Sequence, residues 1–382
     1  MKKVQPSINV CLSEYEDLNR LTDRLPYSEI TPVLFGLFGE VGSVMSTSKK
    51  LIREKKAFEA DYSRDFKEEL GDTLWYVVAL CRRLKIHPLN LFSEFLDDNE
   101  FMMGPTLSND KGDSVIGYNL EIDNSVLYSN LLHLGEQTTH LLSAKVDGTK
   151  TEKLLEKFIQ AYVDTIKTSK MSFTDIIENN IDKIRDRFIP LPFTDLPNFD
   201  DKFPEKEQIP REFEIKIIRV NSRQIRLVWK NKKNKRIGNY LSDDITTPDD
   251  YRFHDVFHFA YAAILHWSPA FRNMIEHKRS NKNFINAQDG VRPRLIEEGL
   301  SAYIFSYAKP LNFFEEQEEV SFSLLKTIRN FVRGYEVEEC PLYLWEKAIL
   351  QGFDVFRKVR QDGSGIVIGN RETRTLLYKP PK

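Results

Sequence analysis

Apolar residues recur along this chain at two different periods, and the change of period divides it. From residue 12 to about residue 100 the spacing is that of helices. The stretch LSEYEDLNRLTDRL (12–25) carries apolar residues three and four apart behind Ser13, which has the chemistry of an N-cap. TPVLFGLFGEVGSVMSTSKKLIREKK (31–56) opens on Thr-Pro, a favourable helix start. SRDFKEELGDTLWYVVALCRRLKI (63–86) sets Leu70, Leu74, Val77, Cys81 and Leu84 on one stripe, and HPLNLFSEFLDDN (87–99) predicts a short helix after a turn. Gly, Pro, Asn, Asp and Ser cluster over 101–118, which predicts a linker. Helical spacing returns from about 121 to 188. Residues 189–210 then carry five prolines, the composition of a linker or an extended surface segment. Beyond them FEIKIIRV and QIRLVWK, rich in β-branched and aromatic residues, flank NSR and predict a hairpin. Helices dominate from about 250 to 360, and GSGIVIGNRETRTLLYKPP predicts a closing hairpin that turns around Gly369-Asn370. The expected fold is mainly α, with a helical domain over 1–200 and an α+β domain over 201–382.

Two helical stretches resemble each other. LFGEVGSVMSTSKK (37–50) and HLGEQTTHLLSAK (133–145) share Gly-Glu, a small hydroxylated residue three positions after the Glu, and a closing Lys. Glu136 would then correspond to Glu40 and Thr139 to Ser43, making 121–188 a degenerate repeat. The alternative is an insertion within one helical domain, since the second copy has no partner for EELGD.

Composition narrows the function classes. The net charge of −2 and pI near 6.4 argue against a nucleic-acid binder that works by bulk charge. Three scattered cysteines with no CxxC argue against a disulfide framework or a thiolate zinc site, and a reducing cytoplasm is the simplest compartment. No apolar run suggests a secretory leader or a membrane span.

The chemistry concentrates in acids set among apolar residues. Glu69 and Asp72 lie three apart, so a helix presents them on one face, and Glu40 is the single acid in LFGLFGEVGSV. Carboxylates at the margin of apolar helix faces are costly unless paired or bound to a cation, and two such helices suit a hard cation such as Mg²⁺. A solvated first turn, favoured by the helix dipole, is the other account of Glu69 and Asp72.

LFGLFGEVGSV, the following Lys pair, and DFKEELGDTLWYVVALCRRLKI together resemble the MazG-like all-α nucleoside triphosphate pyrophosphohydrolases. That family carries E-x-x-E on one helix and E-x-x-D on the next, with aromatic residues after the Asp. YEDLNRLTDR is similar to its preceding helix. NIDKIRDRF (180–188) is similar to its closing segment, with Asn180, Lys183 and Arg187 on an N-x-x-K-x-x-x-R pattern. The resemblance implies Mg²⁺ as cofactor and a nucleoside triphosphate as substrate, cleaved to monophosphate and pyrophosphate. It implies Glu40, Glu69 and Asp72 as metal ligands and catalytic groups. Lys50 and Arg53, with Asn180, Lys183 and Arg187, would meet the substrate, although surface solvation accounts equally for Lys50 and Arg53. Trp75 and Tyr76 fit core or interface positions better than base stacking. A homodimer is implied as well, as is work in nucleotide-pool control or phage defence. Ser43 departs from the pattern, standing where the family has its second acid. Glu68 is a poor substitute, pointing about 100° away around the helix.

In the C-terminal zone, YRFHDVFHFAYAAILHW (251–267) places His254 and His258 four apart with Asp255 between them. That spacing can chelate a transition metal, with Glu297 or Glu298 of RLIEEGLSAYIFSYA as a third ligand. Equally, histidines among Phe253, Phe257, Phe259 and Tyr261 can be held by core hydrogen bonds. The zone resembles an α+β extension attached to some MazG-like domains. Its basic stretches HKRSNKN (277–283) and KNKKNKR (230–236) fit solvated loops better than phosphate contacts. The leading expectation is an Mg²⁺-dependent pyrophosphohydrolase. Its rivals are a catalytically decayed nucleotide sensor or scaffold, and a protein whose activity resides around His254 and His258.

Overall fold

The computed structural model describes residues 8–54, 56–96, 124–143, 148–230, 234–243, 246, 248–280, 283 and 285–381. The expected linker at 101–118 lies outside them. The chain divides between Phe188 and Ile189 into two compact units. No described helix is long and apolar enough to cross a membrane.

The first unit is built from helices. They are α1 (Ile8–Thr22), α2 (Thr31–Glu54), α3 (Lys56–Leu84), the short α4 (Pro88–Phe92), α5 (Asn124–Ser143), α6 (Gly148–Thr168) and α7 (Phe173–Phe188). Ser13 is interior to α1 and caps nothing, because the helix starts five residues earlier, at Ile8. The helix expected over 87–99 is a single turn that ends at Phe92, where His87 caps its start by accepting from the Leu89 amide. On α3, Leu70, Leu74, Val77 and Cys81 are fully buried, as are Phe66 and Val78. The buried face is therefore wider than one stripe, and α3 packs against α2, α1 and α7. Asp23 ties the α1 end to α3 through ion pairs with Arg82 and Arg83. Burial alone would raise the Asp23 carboxyl, but hydrogen bonds from Arg83, Arg82 and the Leu25 amide outweigh it and lower its pKa.

The second unit is α+β. Its antiparallel sheet has the order β3-β2-β1-β4-β5, from β1 (Glu212–Arg219), β2 (Gln224–Trp229), β3 (Lys235–Ser242), β4 (Gly365–Asn370) and β5 (Thr375–Lys379). Ile215 faces Trp229 on one side and Val367 on the other. Along β1, Phe213, Ile215 and Ile217 are buried while their neighbours are not, the alternation of a sheet with one covered face. Asn221 closes the first hairpin by accepting from the amides of Arg223 and Gln224. The remaining elements include α8 (Asp255–Ala260), which continues into a π-helical turn (Tyr261–Leu265), then α9 (Pro269–Ile275), α10 (Val291–Ala308), α11 (Phe322–Phe331) and α12 (Leu342–Asp362). Helix α12 runs through the core with Trp345, Phe353 and Phe356 buried. Gly352 lets α8 come close: a Cβ there would stand 3.3 Å from that of Ala260 and 3.4 Å from the Phe257 ring.

Three expectations change here. The proline-rich 189–210 is no free linker. Leu196 and Ile209 are buried, and Asp200 pairs with Arg272 and accepts from the Ile209 amide at 2.7 Å. KNKKNKR is not all loop, since Lys235 and Arg236 begin β3, pairing with Trp229 and Val228. HKRSNKN is no solvated loop at Arg279, which is fully buried and paired with Asp289 and Glu336.

Candidate functional site

Helices α2 and α3 pack along each other and bring Glu40, Glu69 and Asp72 together. One carboxylate oxygen from each lies within 4.8 Å of the others, and all three residues are half-buried. Helix α7 supplies the surroundings. Asn180 Nδ2 donates to Asp72 Oδ1 at 2.9 Å, and Lys183 Nζ reaches Asp72 Oδ2 at 2.5 Å and Glu68 Oε1 at 3.2 Å. Asn180 is itself held from α1, where the buried Tyr15 hydroxyl donates to its Oδ1 at 2.7 Å. Gly71 permits this approach, because a Cβ on it would stand 3.0 Å from both Cβ and Nδ2 of Asn180. Tyr162 of α6 donates to the Leu70 carbonyl at 2.8 Å, fixing the same turn of α3.

Electrostatics separate Glu40 from the other acids. Among the described residues none forms a hydrogen bond or ion pair with its carboxylate. Burial first, then the negative charges of Asp72 and Glu69, raise its pKa to about 7, with Lys183 only partly opposing them. The Lys183 ammonium is held above its ordinary value: burial alone would lower it, and Asp72 and Glu68 more than compensate. Glu68, turned away from the cluster along α3, thus belongs to the site through Lys183.

The other sequence candidates lie elsewhere. Lys50 and Arg53 stand about 15 and 20 Å beyond Glu40 along α2 at 1.5 Å per residue, and Arg53 pairs with Glu54. Arg187 stacks over the Phe188 ring at 4.7 Å. Glu136 does not join the carboxylates; it is exposed and pairs with His133 at 3.2 Å. Thr139 bonds back to the Gly135 carbonyl. Ser43 is half-buried one turn beyond Glu40. Sequence reasoning missed Tyr15 and Tyr162, whose roles depend on packing between distant helices and leave no local signal. A separate cleft of about 510 Å³ is lined by Glu16, Asp17, Arg20, Asp23, Tyr27 and Arg82, and by none of the three clustered acids.

The second unit carries a different cluster. His254 Nε2 lies 3.4 Å from Asp255 Oδ1 and 3.7 Å from Glu298 Oε2, and His258 Nε2 lies 3.9 and 3.3 Å from the same two atoms. On the far side of its ring, His258 Nδ1 meets Glu297 Oε1 at 2.8 Å, with both residues fully buried. Glu297 also accepts from Ser268 Oγ and the Ala270 amide. Burial by itself would keep the His258 ring neutral, but the Glu297 carboxylate outweighs it and holds the pKa well above its ordinary value. Burial raises the Asp255 carboxyl. Of the two acids offered by the sequence, Glu298 faces the cluster and Glu297 stands behind it.

Residues 194–382 match the sequence profile of the MazG C-terminal domain. A stretch of 55 residues is 38% identical to the Gene 37 protein of Mycobacterium phage L5, covering 14% of this chain and 48% of that protein. The chain thus spans about half the length of this curated relative. No solved structure matches. The C-terminal half of the chain is thus a MazG-like domain.

Proposed function

We propose that the N-terminal helical unit is an Mg²⁺-dependent nucleoside triphosphate pyrophosphohydrolase, yielding a nucleoside monophosphate and pyrophosphate. The observation that carries this reading is the convergence of Glu40, Glu69 and Asp72 within 4.8 Å. The donor set fits Mg²⁺, being all oxygen, and it includes a carboxylate that has no cation of its own among the described residues. When bound, Mg²⁺ neutralises triphosphate charge, lowers the pKa of water and orients attack at phosphorus. The chain's own residues hold the acids in place. Asn180 and Lys183 fix both oxygens of Asp72, and Tyr15 fixes Asn180. Lys183 adds a positive charge beside the site, able to meet a phosphate oxygen.

Phe35 and Phe38 are 68% and 49% exposed on α2, an apolar surface that suits the homodimer included in this reading. Light scattering on the purified chain should give twice the monomer mass; a monomer would remove that part.

Ser43 supports a second reading, in which the unit binds nucleotide without cleaving it. Pyrophosphate release from a panel of nucleoside triphosphates with Mg²⁺ separates the two. Release from any member supports the enzyme, and nucleotide binding without release supports the sensor.

Two consequences can be measured directly. Because Glu40 has a raised pKa, its protonated form favours the fold. That contribution is complete below about pH 4.5 and gone above about pH 7. Glu40→Gln should therefore stabilise the metal-free protein at pH 8 by about 1–3 kcal/mol and have little effect at pH 4.5. Urea melts at the two pH values test this, and equal effects at both would sink it. Gly71→Ala sets two terms against each other. Alanine favours the helix by up to about 1 kcal/mol, but its methyl group displaces Asn180 from Asp72. Stability is expected to change by less than about 1 kcal/mol, while hydrolysis falls roughly tenfold, about 1.4 kcal/mol of barrier.

A further inference from the structure

We propose that the C-terminal unit binds one divalent transition-metal ion through His254, Asp255, His258 and Glu298. This goes beyond the N-terminal reading and does not depend on it. The four ligand atoms are Nε2 of both histidines, Asp255 Oδ1 and Glu298 Oε2, and the four nitrogen-to-oxygen distances among them run from 3.3 to 3.9 Å. Donors about 2.0–2.1 Å from a tetrahedral ion stand about 3.3–3.4 Å apart. His254, Asp255 and His258 already offer ligand atoms within 4.8 Å of one another, and Glu298, near both histidines, draws in to complete the set.

Among the described residues the buried Nε2 of His258 has no well-formed hydrogen bond, and Glu298 Oε2 faces it 3.3 Å away within ion-pair range. An orphaned polar atom on a fully buried ring is costly, and an ion at the centre of this cluster would satisfy it. Both rings are also oriented from behind. His258 Nδ1 meets Glu297 at 2.8 Å and His254 Nδ1 meets the Tyr251 carbonyl at 2.9 Å, the outer contacts that fix a metal-binding imidazole with Nε2 facing inward. Tyr251 further stacks on the His254 ring at 4.4 Å. Backbone geometry assembles the set: a 3₁₀ turn at Tyr251–Phe253 leads into α8, which continues into a π turn. His254 and Asp255 stand four and three residues before His258, so helical backbone turns both toward its side chain.

Two imidazoles with two carboxylates select a transition ion over Mg²⁺, which prefers oxygen alone. The site opens on a cleft of about 310 Å³ lined by His254, Asp255, Arg294 and Glu298. A water or small anion can therefore reach the ion from that side, with Arg294 favouring negative charge.

The test uses the full-length protein, stripped with a chelator and titrated with Co²⁺. Visible absorption should rise to a plateau at one equivalent, be removed by Zn²⁺ and persist in excess Mg²⁺. His254→Gln and Glu298→Gln, both on the cleft side, should each weaken Co²⁺ binding at least tenfold with unchanged circular dichroism. Asp72→Asn, in the other unit, should leave the band unchanged. Absence of the band overturns the proposal. So does a band that survives both cleft-side substitutions, or one that disappears with Asp72→Asn. If His258→Gln fails to fold, the two cleft-side variants decide.

Discussion

Glu69→Ala and Asp72→Ala are each expected to reduce nucleoside triphosphate hydrolysis about a thousandfold, about 4 kcal/mol of barrier. The two acids share one face of α3 and meet Glu40 of α2 within 4.8 Å. Losing either leaves two carboxylates for a cation that needs several hard oxygens to shed its waters. Asp72→Ala also strips Lys183 and Asn180 of their main partner, so it should cost stability as well. Ser43→Glu adds an acid one turn from Glu40 on the same face. It should lower the Mg²⁺ concentration for half-maximal rate, by about tenfold if the acid contributes about 1.4 kcal/mol to binding. Pyrophosphate release measured against Mg²⁺ for the parent and the three variants tests all of this. Undiminished hydrolysis in both alanine variants would make these acids structural. Hydrolysis found only in Ser43→Glu would replace the enzyme with the sensor.

The largest expected loss of stability comes from the buried charges of the second unit. Arg279 Nε donates to Asp289 Oδ2 at 2.9 Å, and its backbone amide donates to the same oxygen at 3.0 Å. Both side chains are fully buried. Asp289→Ala leaves the guanidinium with Glu336 as its acid partner, and breaking such a pair costs about 3–5 kcal/mol. Adding Arg279→Met to Asp289→Leu should recover only part of that, because Glu336 then loses its guanidinium partner. Three of the four tryptophans, Trp229, Trp267 and Trp345, lie in this unit, so their fluorescence in urea follows its unfolding. A midpoint unchanged by Asp289→Ala would mean the pair contributes nothing net.

The sequence was most legible where period and local chemistry agree. Helix α2 begins at the expected Thr31 and ends two residues before the expected boundary, and both hairpins form, although the second turns at 371–374 and not at Gly369-Asn370, which pair with Leu376 and Thr375 inside the ladder. Strand β3 was hidden because it is an edge strand, mostly exposed and polar, following a run of lysines. Arg279 looked solvated because nothing local marks a basic residue whose acids lie 10 and 57 positions away. The shared face of Glu69 and Asp72 follows from spacing alone. That Glu40 meets them depends on how α2 packs on α3. The contact of Asn180 and Lys183 with Asp72 was not derivable from local pattern; a family resemblance had to point to α7. Asp255 read only as the residue between two histidines, although it stands three before His258 and so shares that helix face with it.

The grip of α7 on Asp72 also sets a timetable. Asn180 and Lys183 follow Asp72 by 108 and 111 residues. At about 5–20 residues per second a ribosome takes roughly 5–20 s to make that stretch. During that interval a nascent chain already contains all three acids but not the residues that aim one of them. The centre is completed only after the whole helical unit has been synthesised, so fragments ending before α7 carry the acids without their alignment.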